Sequence, residues 1–278
     1  MTPSYPGRKI RVLCLHGYRM NAKVMEAQTQ TLRRALGDSA EFVFLDAPFA
    51  ADGPTDALVQ KLFGDTAPFR EWSRLRFHGI DTDPKSRSAS ADDLAIIREQ
   101  IGQRNEWYCH YEGVESAIAL INEAIAAHGP IDVVVGFSQG ATLLTLVAAL
   151  NLQKNNVRLW KLAICVGGVN VVDPRFRSLF EVSEGGERIL LPFSSVHIVG
   201  KKDPIGRESL KLAKRYQDFP DAGPRATGRK IVYEHSGGHK FPSLKGNEQF
   251  YDELVKVIHD HRTTETSHSS SESLASKL

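Results

Sequence analysis

The chain has 278 residues, of which 41% are hydrophobic and 24% are charged, an ordinary composition for a folded, water-soluble protein. This length is enough for one large α/β domain with a substantial core. Lysine and arginine number 35 against 33 aspartate and glutamate residues, a formal net charge of +2. No strong electrostatic field is expected, so the balance argues against nucleic acid as a partner.

Strand-type and helix-type segments alternate along the chain. In chain order, the predicted strands cover residues 10–15, 41–45, 132–136, 162–166, 196–200 and 230–234. The predicted helices cover residues 22–36, 114–127, 141–152, 205–216 and 249–261. The strands are short and continuously apolar, as expected when helices cover both faces of a sheet. The sequence therefore predicts an α/β fold with a mostly parallel central sheet flanked by helices.

Two insertions interrupt this alternation, at about residues 47–111 and 171–191. We predict a single domain over residues 1–262, with the first insertion resembling a lid. Residues 263–278 are too polar to bury a core and are predicted to be disordered. The N-terminus lacks the apolar segment of a secretory signal, and no segment is long and apolar enough to span a membrane.

The chain contains three cysteines, Cys14, Cys109 and Cys165, far apart in the sequence. An odd number without a C-x-x-C pair favours a reducing compartment over a disulfide framework. Cys14 and Cys165 lie in apolar strand-like segments, so we expect both to be small core residues.

The segment from Gly136 to Gly140 reads Gly-Phe-Ser-Gln-Gly and matches G-x-S-x-G. It lies between a predicted strand and a predicted helix, the context of a nucleophile elbow. Ser138 would occupy a strained turn, and a side chain at either glycine would collide with the neighbouring strand or helix. The motif therefore predicts Ser138 as a nucleophile, and the alternative is a serine that only caps the helix.

A serine hydroxyl needs a base, and the base needs a carboxylate that fixes its tautomer. His239 follows the last predicted strand in a glycine-rich loop, while the competing His235 ends that strand and is expected to be structural. Asp203 follows the fifth predicted strand, at the sheet edge where α/β proteins place ligands. Asp173 is the alternative acid, although a turn aspartate before Pro174 is the simpler interpretation.

An oxyanion hole requires two backbone N–H donors. We predict Gln139, which follows the nucleophile, and Tyr18, in the loop after the first strand. His16 is expected to order that loop. The ten histidines lack metal-ligand spacing, and no glycine-rich phosphate loop is present, so neither a metal nor a cofactor is predicted.

Five segments together make the chain similar to a known family. They are Val12–Tyr18, Phe44–Pro48, Gly136–Ala141, Gly200–Pro204 and His235–His239. The chain resembles the fungal and broader eukaryotic "family of serine hydrolases", to which the ovarian-cancer-associated serine hydrolase belongs, within the α/β-hydrolase superfamily. The resemblance implies that fold, carboxylester or thioester hydrolysis, and Ser138, Asp203 and His239 as the triad. Some relatives release polyketide acyl chains from a synthase. Lys201 and Lys202 depart from the pattern, in which a small residue and a histidine are common.

These observations predict hydrolysis of an ester or acyl thioester through an acyl-enzyme intermediate. The enzyme would serve either general metabolism or a biosynthetic pathway that handles polyketide or fatty-acyl chains. Six aromatic residues of the first insertion either line an acyl pocket or form the insertion's own small core: Phe63, Phe69, Trp72, Phe77, Trp107 and Tyr108. The alternatives are a lipase or peptidase on the same fold and a non-catalytic receptor for a small acyl ligand. An intact triad argues against the receptor.

The sequence ends in Ser276-Lys277-Leu278, which matches the S-K-L address read by the peroxisomal import receptor. We therefore expect a peroxisomal location in a eukaryote and a cytoplasmic one otherwise. A peroxisomal location would make an acyl-CoA thioester a plausible substrate.

Overall fold

The structure is a computed structural model that describes residues 8–79, 93–103, 107–182, 188–218 and 229–272. Ten strands and eight helices follow one another along these residues. In chain order they are β1 (Ile10–Leu15), α1 (Ala22–Gln28), α2 (Gln30–Leu36), β2 (Ala40–Leu45), β3 (Phe49–Ala50), α3 (Ala57–Phe63), β4 (Arg70–Glu71), β5 (Arg74–His78), α4 (Asp93–Gln103), β6 (Tyr108–Glu112), α5 (Val114–His128), β7 (Val133–Phe137), α6 (Gln139–Asn155), β8 (Leu162–Val166), β9 (Ser194–Gly200), α7 (Gly206–Ala213), β10 (Lys230–His235) and α8 (Glu248–Glu272).

Six strands form one sheet in the order β10-β9-β8-β7-β1-β2. All neighbouring strands in it run parallel. The predicted α/β fold is therefore confirmed. Because the strands are parallel, the loops that follow β7, β8, β9 and β10 lie at one edge of the sheet, side by side.

Helices cover both faces of the sheet, as the apolar strands predict. Along β1, Leu13 and Leu15 join the apolar cluster beneath α5 and α6, whereas Val12 and Cys14 join the cluster beneath α1, α2 and α8. This alternation is the two-residue period of a strand, which sends successive side chains to opposite faces. Cys14 and Cys165 are buried and unpaired in this core, as predicted.

Two predicted helices differ in detail from the structure. The helix predicted over residues 22–36 is interrupted at Thr29, whose hydroxyl donates to the Met25 carbonyl at 2.8 Å. Such bonds from a side chain to the preceding turn bend helices. The helix predicted to end at residue 261 continues to Glu272, into the segment predicted to be disordered.

The first insertion has secondary structure that the sequence does not predict. It contains α3, α4 and two small antiparallel sheets, one formed by β3 and β4 and the other by β5 and β6. Strand β6 extends to Glu112, one residue beyond the predicted boundary. Within the described part of the chain, no helix is long and apolar enough to cross a membrane. Ser276, Lys277 and Leu278 lie outside the described residues.

Candidate active site

Ser138 forms the sharp turn between β7 and α6, with φ 51° and ψ −115°. A positive φ is costly for a residue with a side chain, so neighbouring structure must hold this turn. The Ser138 N–H donates to the Val166 carbonyl of β8 at 2.8 Å. Ser138 is 9% exposed, and its side chain does not cap α6. Ser138 occupies the N-cap position of α6, but its side chain does not serve as a cap, which was the alternative interpretation.

The two glycines of the motif are explained by close packing. A methyl group at Gly136 would lie 2.6 Å from the Ala141 backbone nitrogen, and one at Gly140 would lie 2.7 Å from the His16 carbonyl oxygen. Both distances are far inside an ordinary van der Waals contact of about 3.5 Å. As predicted, neither position can accept a side chain.

Tyr18 and Gln139 line the same pocket as Ser138. Gln139 is the first residue of α6, where backbone N–H groups have no acceptor within the helix. The N–H groups of Ala141 and Thr142 donate to the Ser138 carbonyl, at 3.0 and 3.2 Å. The role of the Tyr18 and Gln139 amides as oxyanion donors stays a prediction.

His239 and Asp203 form a buried pair. Nδ1 of His239 lies 2.8 Å from Oδ2 of Asp203, and the two side chains are 5% and 1% exposed. The other carboxylate oxygen accepts the Ile205 N–H at 2.9 Å, which fixes the plane of the carboxylate. With Nδ1 donating to Asp203, Nε2 of His239 carries the lone pair. Nε2 is buried and has no hydrogen-bond partner among the described residues.

Gly167 makes room for this imidazole. It follows β8, which lies between the strands that precede Ser138 and Asp203, and its φ is +57°. A methyl group at Gly167 would lie 2.9 Å from Cε1 and 3.0 Å from Nδ1 of His239. A side chain at Gly167 would occupy the space that the His239 imidazole fills beside the end of β8. Gly167 is not among the predicted site residues, although a glycine directly after a buried strand is a usable signal.

Burial lowers the pKa of His239, because a charged imidazolium is poorly solvated in this site. The hydrogen bond to Asp203 opposes that effect and raises the pKa. The charges of Arg98 and Asp56 act on His239 in opposite directions, the arginine lowering its pKa and the aspartate raising it. The net result is a pKa below that of an ordinary histidine, so His239 is neutral and can accept a proton at pH 7.

The two alternative residues have other partners. Asp173 begins a short 3-10 helix, pairs with Arg175 at 2.7 Å and accepts the Tyr111 N–H at 2.8 Å. It therefore fastens the second insertion to β6, as a turn aspartate rather than as a partner of His239. His235 accepts the Gly237 N–H at 3.1 Å and stabilises the loop at the end of β10, the structural position predicted for it.

His16 orders the loop after β1. Its Nδ1 lies 2.8 Å from the Gly17 carbonyl oxygen, and its Nε2 accepts the Ala47 N–H at 3.1 Å. Burial lowers the pKa of His16 to about 4, so this imidazole stays neutral. The same loop is also attached to the insertion, because Arg19 pairs with the buried Glu71 at 2.8 Å. The predicted structural role of His16 agrees with these contacts.

The side chain of Gln139 connects the nucleophile turn to the insertion. Its Oε1 accepts the Trp72 N–H at 3.1 Å, and its Nε2 donates to the Ser73 carbonyl at 3.1 Å. The Trp72 indole N–H donates in turn to the His16 carbonyl at 2.8 Å. Only the backbone of Gln139 has a predicted role, and nothing local in the sequence indicates this link, which joins residues 67 positions apart.

A mainly apolar pocket opens beside Ser138, with about 810 Å³ of empty space including its mouth. Its wall includes Ser138, Thr142, Leu143 and Leu146, which follow one side of α6. At 1.5 Å per residue, this row extends about 12 Å from the serine. The opposite wall comes from β5, β6 and α4 of the insertion.

The six aromatic residues considered in the sequence divide between the two predicted roles. Trp72, Phe77 and Trp107 line the pocket. Phe63 and Phe69 pack into the core beneath α1 and α8, and Tyr108 is 41% exposed. Within the described segments, no group of three or more histidine, cysteine, aspartate or glutamate side chains is placed to hold a metal ion.

The family of the chain follows from comparison with known proteins. Residues 3–251 match the family model described as "Serine hydrolase (FSH1)". The chain belongs to this serine hydrolase family. The hydrolase is 30% identical to human "Esterase OVCA2" over 252 residues, which cover 88% of this chain and 94% of the relative. It is 25% identical to the zebrafish (Danio rerio) protein of the same name over 262 residues, 89% and 96% of the two chains.

Solved structures show the same fold. The serine hydrolase matches Zea mays acyl-protein thioesterase 2 with a TM-score of 0.51 and 16% sequence identity, over 92% of this chain and 97% of the other. At this identity the likeness establishes the α/β-hydrolase architecture alone. The predicted family and fold are both confirmed.

Proposed function

We propose that this serine hydrolase cleaves carboxylic esters or acyl thioesters through Ser138, His239 and Asp203. The observation that carries the proposal is the buried hydrogen bond between His239 Nδ1 and Asp203 Oδ2 at 2.8 Å. It holds the imidazole in the tautomer whose Nε2 can accept a proton, at the edge of the sheet that also presents Ser138. The names of the relatives, which are called esterases, agree with this class of substrate.

The reaction proceeds in two acyl transfers. Ser138 Oγ bonds to the acyl carbonyl carbon while its proton passes to Nε2 of His239. The imidazolium gives that proton to the leaving oxygen or sulfur as its bond to the acyl carbon breaks. A water molecule then attacks the acyl-enzyme and gives a proton to His239, which returns it to Ser138 Oγ as the acid departs. One water is consumed, and one acid and one alcohol or thiol are formed.

The backbone amides of Tyr18 and Gln139 would stabilise the negative charge on the carbonyl oxygen in both steps. The N-terminus of α6 adds its positive dipole end at Gln139. His16, Arg19 and the Gln139 side chain hold these amides in place through the contacts described above. An oxyanion hole fixed in this way needs little rearrangement when charge develops.

The pocket along α6 suits an unbranched acyl chain. The row of lining residues along α6 extends about 12 Å, and the aliphatic and aromatic walls favour an apolar chain of intermediate length over a short acetyl group. We therefore expect medium-chain esters or thioesters to be better substrates than acetates. A role in releasing a fatty-acyl or polyketide chain is a narrower form of the same proposal.

The test is hydrolysis of p-nitrophenyl esters and acyl-CoA thioesters of increasing chain length by the wild type and Ser138→Ala. Ser243→Ala, at an exposed loop serine, is the matched control. We expect turnover that disappears in Ser138→Ala and persists in Ser243→Ala, with the leaving group distinguishing esterase from thioesterase. Activity that survives Ser138→Ala would overturn the triad. Tight binding of acyl ligand without turnover by the wild type would support the receptor alternative instead.

The cellular location stays a prediction from Ser276-Lys277-Leu278. Its test compares a tagged protein that keeps a free C-terminal Leu278 with one in which Leu278 is deleted. Peroxisomal signal that depends on Leu278 is the expected result, and a cytosolic pattern for both proteins would contradict it. Proof of peroxisomal import would give acyl-CoA thioesters priority among the substrates.

A further inference from the structure

Helix α4 of the insertion lies against the loop that carries Asp203. Gly102 of α4 is the contact, because a methyl group there would collide with the Pro204 carbonyl. Ile101 and Ile205 pack together beside this contact. The insertion therefore packs against the loop between Asp203 and α7, and the helix has no side chain at the point of closest approach.

Arg98 lies one helical turn before Gly102. Residues four apart share a helix face, so Arg98 is on the side of α4 that faces the acid loop. Arg98 lines the pocket together with Ser138 and is the one charged residue among the described residues that do so. Its positive charge also lowers the pKa of His239, which agrees with a position close to the imidazole.

The hydrogen-bonding capacity of Arg98 is only partly used. Its Nη1 donates to Oδ2 of Asp56 at 3.0 Å, and its side chain is 17% exposed. A guanidinium has five N–H groups arranged to bind a carboxylate or phosphate through two parallel bonds. Among the described residues, Asp56 is its one hydrogen-bond partner. Arg98 therefore has N–H groups that no described residue binds, and its side chain lines the pocket.

We propose that Arg98 binds a carboxylate or phosphate on the alcohol or thiol part of the substrate. The inference rests on the proposed function, because it assigns the two ends of the substrate. The acyl chain occupies the apolar row along α6. The leaving group lies beside His239, which must give it a proton. Helix α4, which carries Arg98, packs against the loop that follows Asp203, the hydrogen-bond partner of His239.

Three lysines lie on the two loops that carry Asp203 and His239, and they support the same assignment. Lys201 and Lys202 precede Asp203 and Lys240 follows His239, and all three are exposed. The loops are joined by the Lys202 N–H, which donates to the Gly237 carbonyl at 2.9 Å. Positive charge on the loops that carry the proposed catalytic residues attracts an anionic ligand before it binds.

The competing explanation is that Arg98 and Asp56 only fasten α4 to the start of α3. The two explanations differ in the effect of Asp56. Its Oδ1 caps α3 by accepting the Leu58 N–H at 3.0 Å, and asparagine is an equally good cap. If Arg98 binds substrate, Asp56 competes with the anion, and Asp56→Asn strengthens anion recognition. If the pair is only a fastener, Asp56→Asn and Arg98→Gln have the same effect.

The experiment uses esters with one acyl chain and three alcohols: a neutral one, one carrying a carboxylate and one carrying a phosphate. The quantity compared is the ratio of kcat/KM for the anionic ester to that for the neutral ester, within each variant. We expect a ratio of about ten to a hundred in the wild type. It should fall to about one in Arg98→Gln, fall partly in Arg98→Lys, and rise in Asp56→Asn. The larger of the two anionic ratios identifies carboxylate or phosphate as the group recognised.

Arg76→Gln is the matched control, because Arg76 is an exposed arginine of the same insertion that pairs with Glu112 at 2.9 Å. Its ratio should equal that of the wild type. A wild-type ratio near one, or parallel changes in Arg98→Gln and Asp56→Asn, would overturn the inference while leaving the hydrolase function intact.

A binding measurement separates this inference from the proposed function. The three esters are titrated into Ser138→Ala, and the fluorescence of the tryptophans that line the pocket is followed. Tighter binding of the anionic ester that disappears in Ser138→Ala/Arg98→Gln would support the inference even if the wild type were inactive. Equal affinity for all three esters would overturn it.

Discussion

At the carboxyl edge of the sheet, Ser138, Asp203 and His239 each follow the end of a parallel strand. In the insertion between β2 and α5, Trp72 and Arg98 line the pocket beside Ser138, and both residues lie outside the central sheet. The first group is positioned by backbone pairing within the sheet, and the second by single contacts such as that between Gln139 and Trp72. Under the proposed function, the sheet positions the reacting residues, while the insertion shapes the pocket that selects the substrate.

The largest effect is expected from substitution of Asp203, the predicted acid of the triad. We expect Asp203→Asn to lower kcat by about 10⁴-fold, because an amide N–H facing Nδ1 favours the wrong imidazole tautomer. Asp173→Asn is the matched control, since Asp173 is equally buried but belongs to the second insertion. It should reduce the free energy of unfolding and leave most of kcat. A larger loss of kcat in Asp173→Asn would reverse the assignment of the acid.

The pH dependence of the free energy of unfolding tests the protonation state of His16, which accepts the Ala47 N–H at the start of the insertion. His16 has a pKa of about 4 when folded, against about 6.5 for an ordinary histidine, so the unfolded state binds more protons between these values. The free energy of unfolding therefore falls as the pH is lowered from 6.5 to 4, by about 3 kcal/mol from His16. Urea titrations across this range should show a shallower decline in His16→Gln. An unchanged pH dependence would contradict the assigned neutral state.

Substitution of two glycines distinguishes an effect of the sheet region on kcat from an effect of the insertion on KM. Gly167→Ala should displace His239 and lower kcat by about a hundredfold, because small misplacements of a catalytic group are costly. Gly102→Ala should move α4 away from Pro204 and raise KM, with a smaller effect on kcat. Steady-state kinetics with one medium-chain ester measures both. Equal effects of the two variants on kcat and KM would remove the distinction between sheet and insertion.

The smallest expected effect is on the pH profile. Burial lowers the pKa of His239, so kcat/KM should stay high below pH 6.5 and decline at lower pH, as the imidazole becomes protonated. Arg98→Gln removes a positive charge and should move this decline to higher pH. Asp56→Asn removes a negative charge and should move it to lower pH. Shifts in the same direction would contradict the opposing charges at the imidazole.

The sequence predicts the sheet region well for a physical reason. Continuous apolar strands, a G-x-S-x-G turn and polar residues at strand ends are local patterns, and parallel pairing brings the strand ends together. All six strands of the central sheet are predicted, and the His239–Asp203 contact follows from β9 and β10 being neighbours.

The insertion could not be predicted in the same way. Its strands β3 and β4 have two residues each, too short to show a period. Arg98 and Asp56 are 42 positions apart, so nothing local indicates that they meet. The sequence therefore could not show which aromatic residues line the pocket. Nor could it show that Arg98 is the one charged residue among the described lining residues.

The central claim is that Ser138 is activated by His239, and covalent labelling tests it most directly. The protein is treated with a fluorophosphonate ester, and the modified residue is located by mass spectrometry of peptides. We predict one phosphonyl group on Ser138 in the wild type, labelling that is slower by orders of magnitude in His239→Ala, and none in Ser138→Ala. A folded wild type labelled on another residue, or at the same rate without His239, would contradict the account.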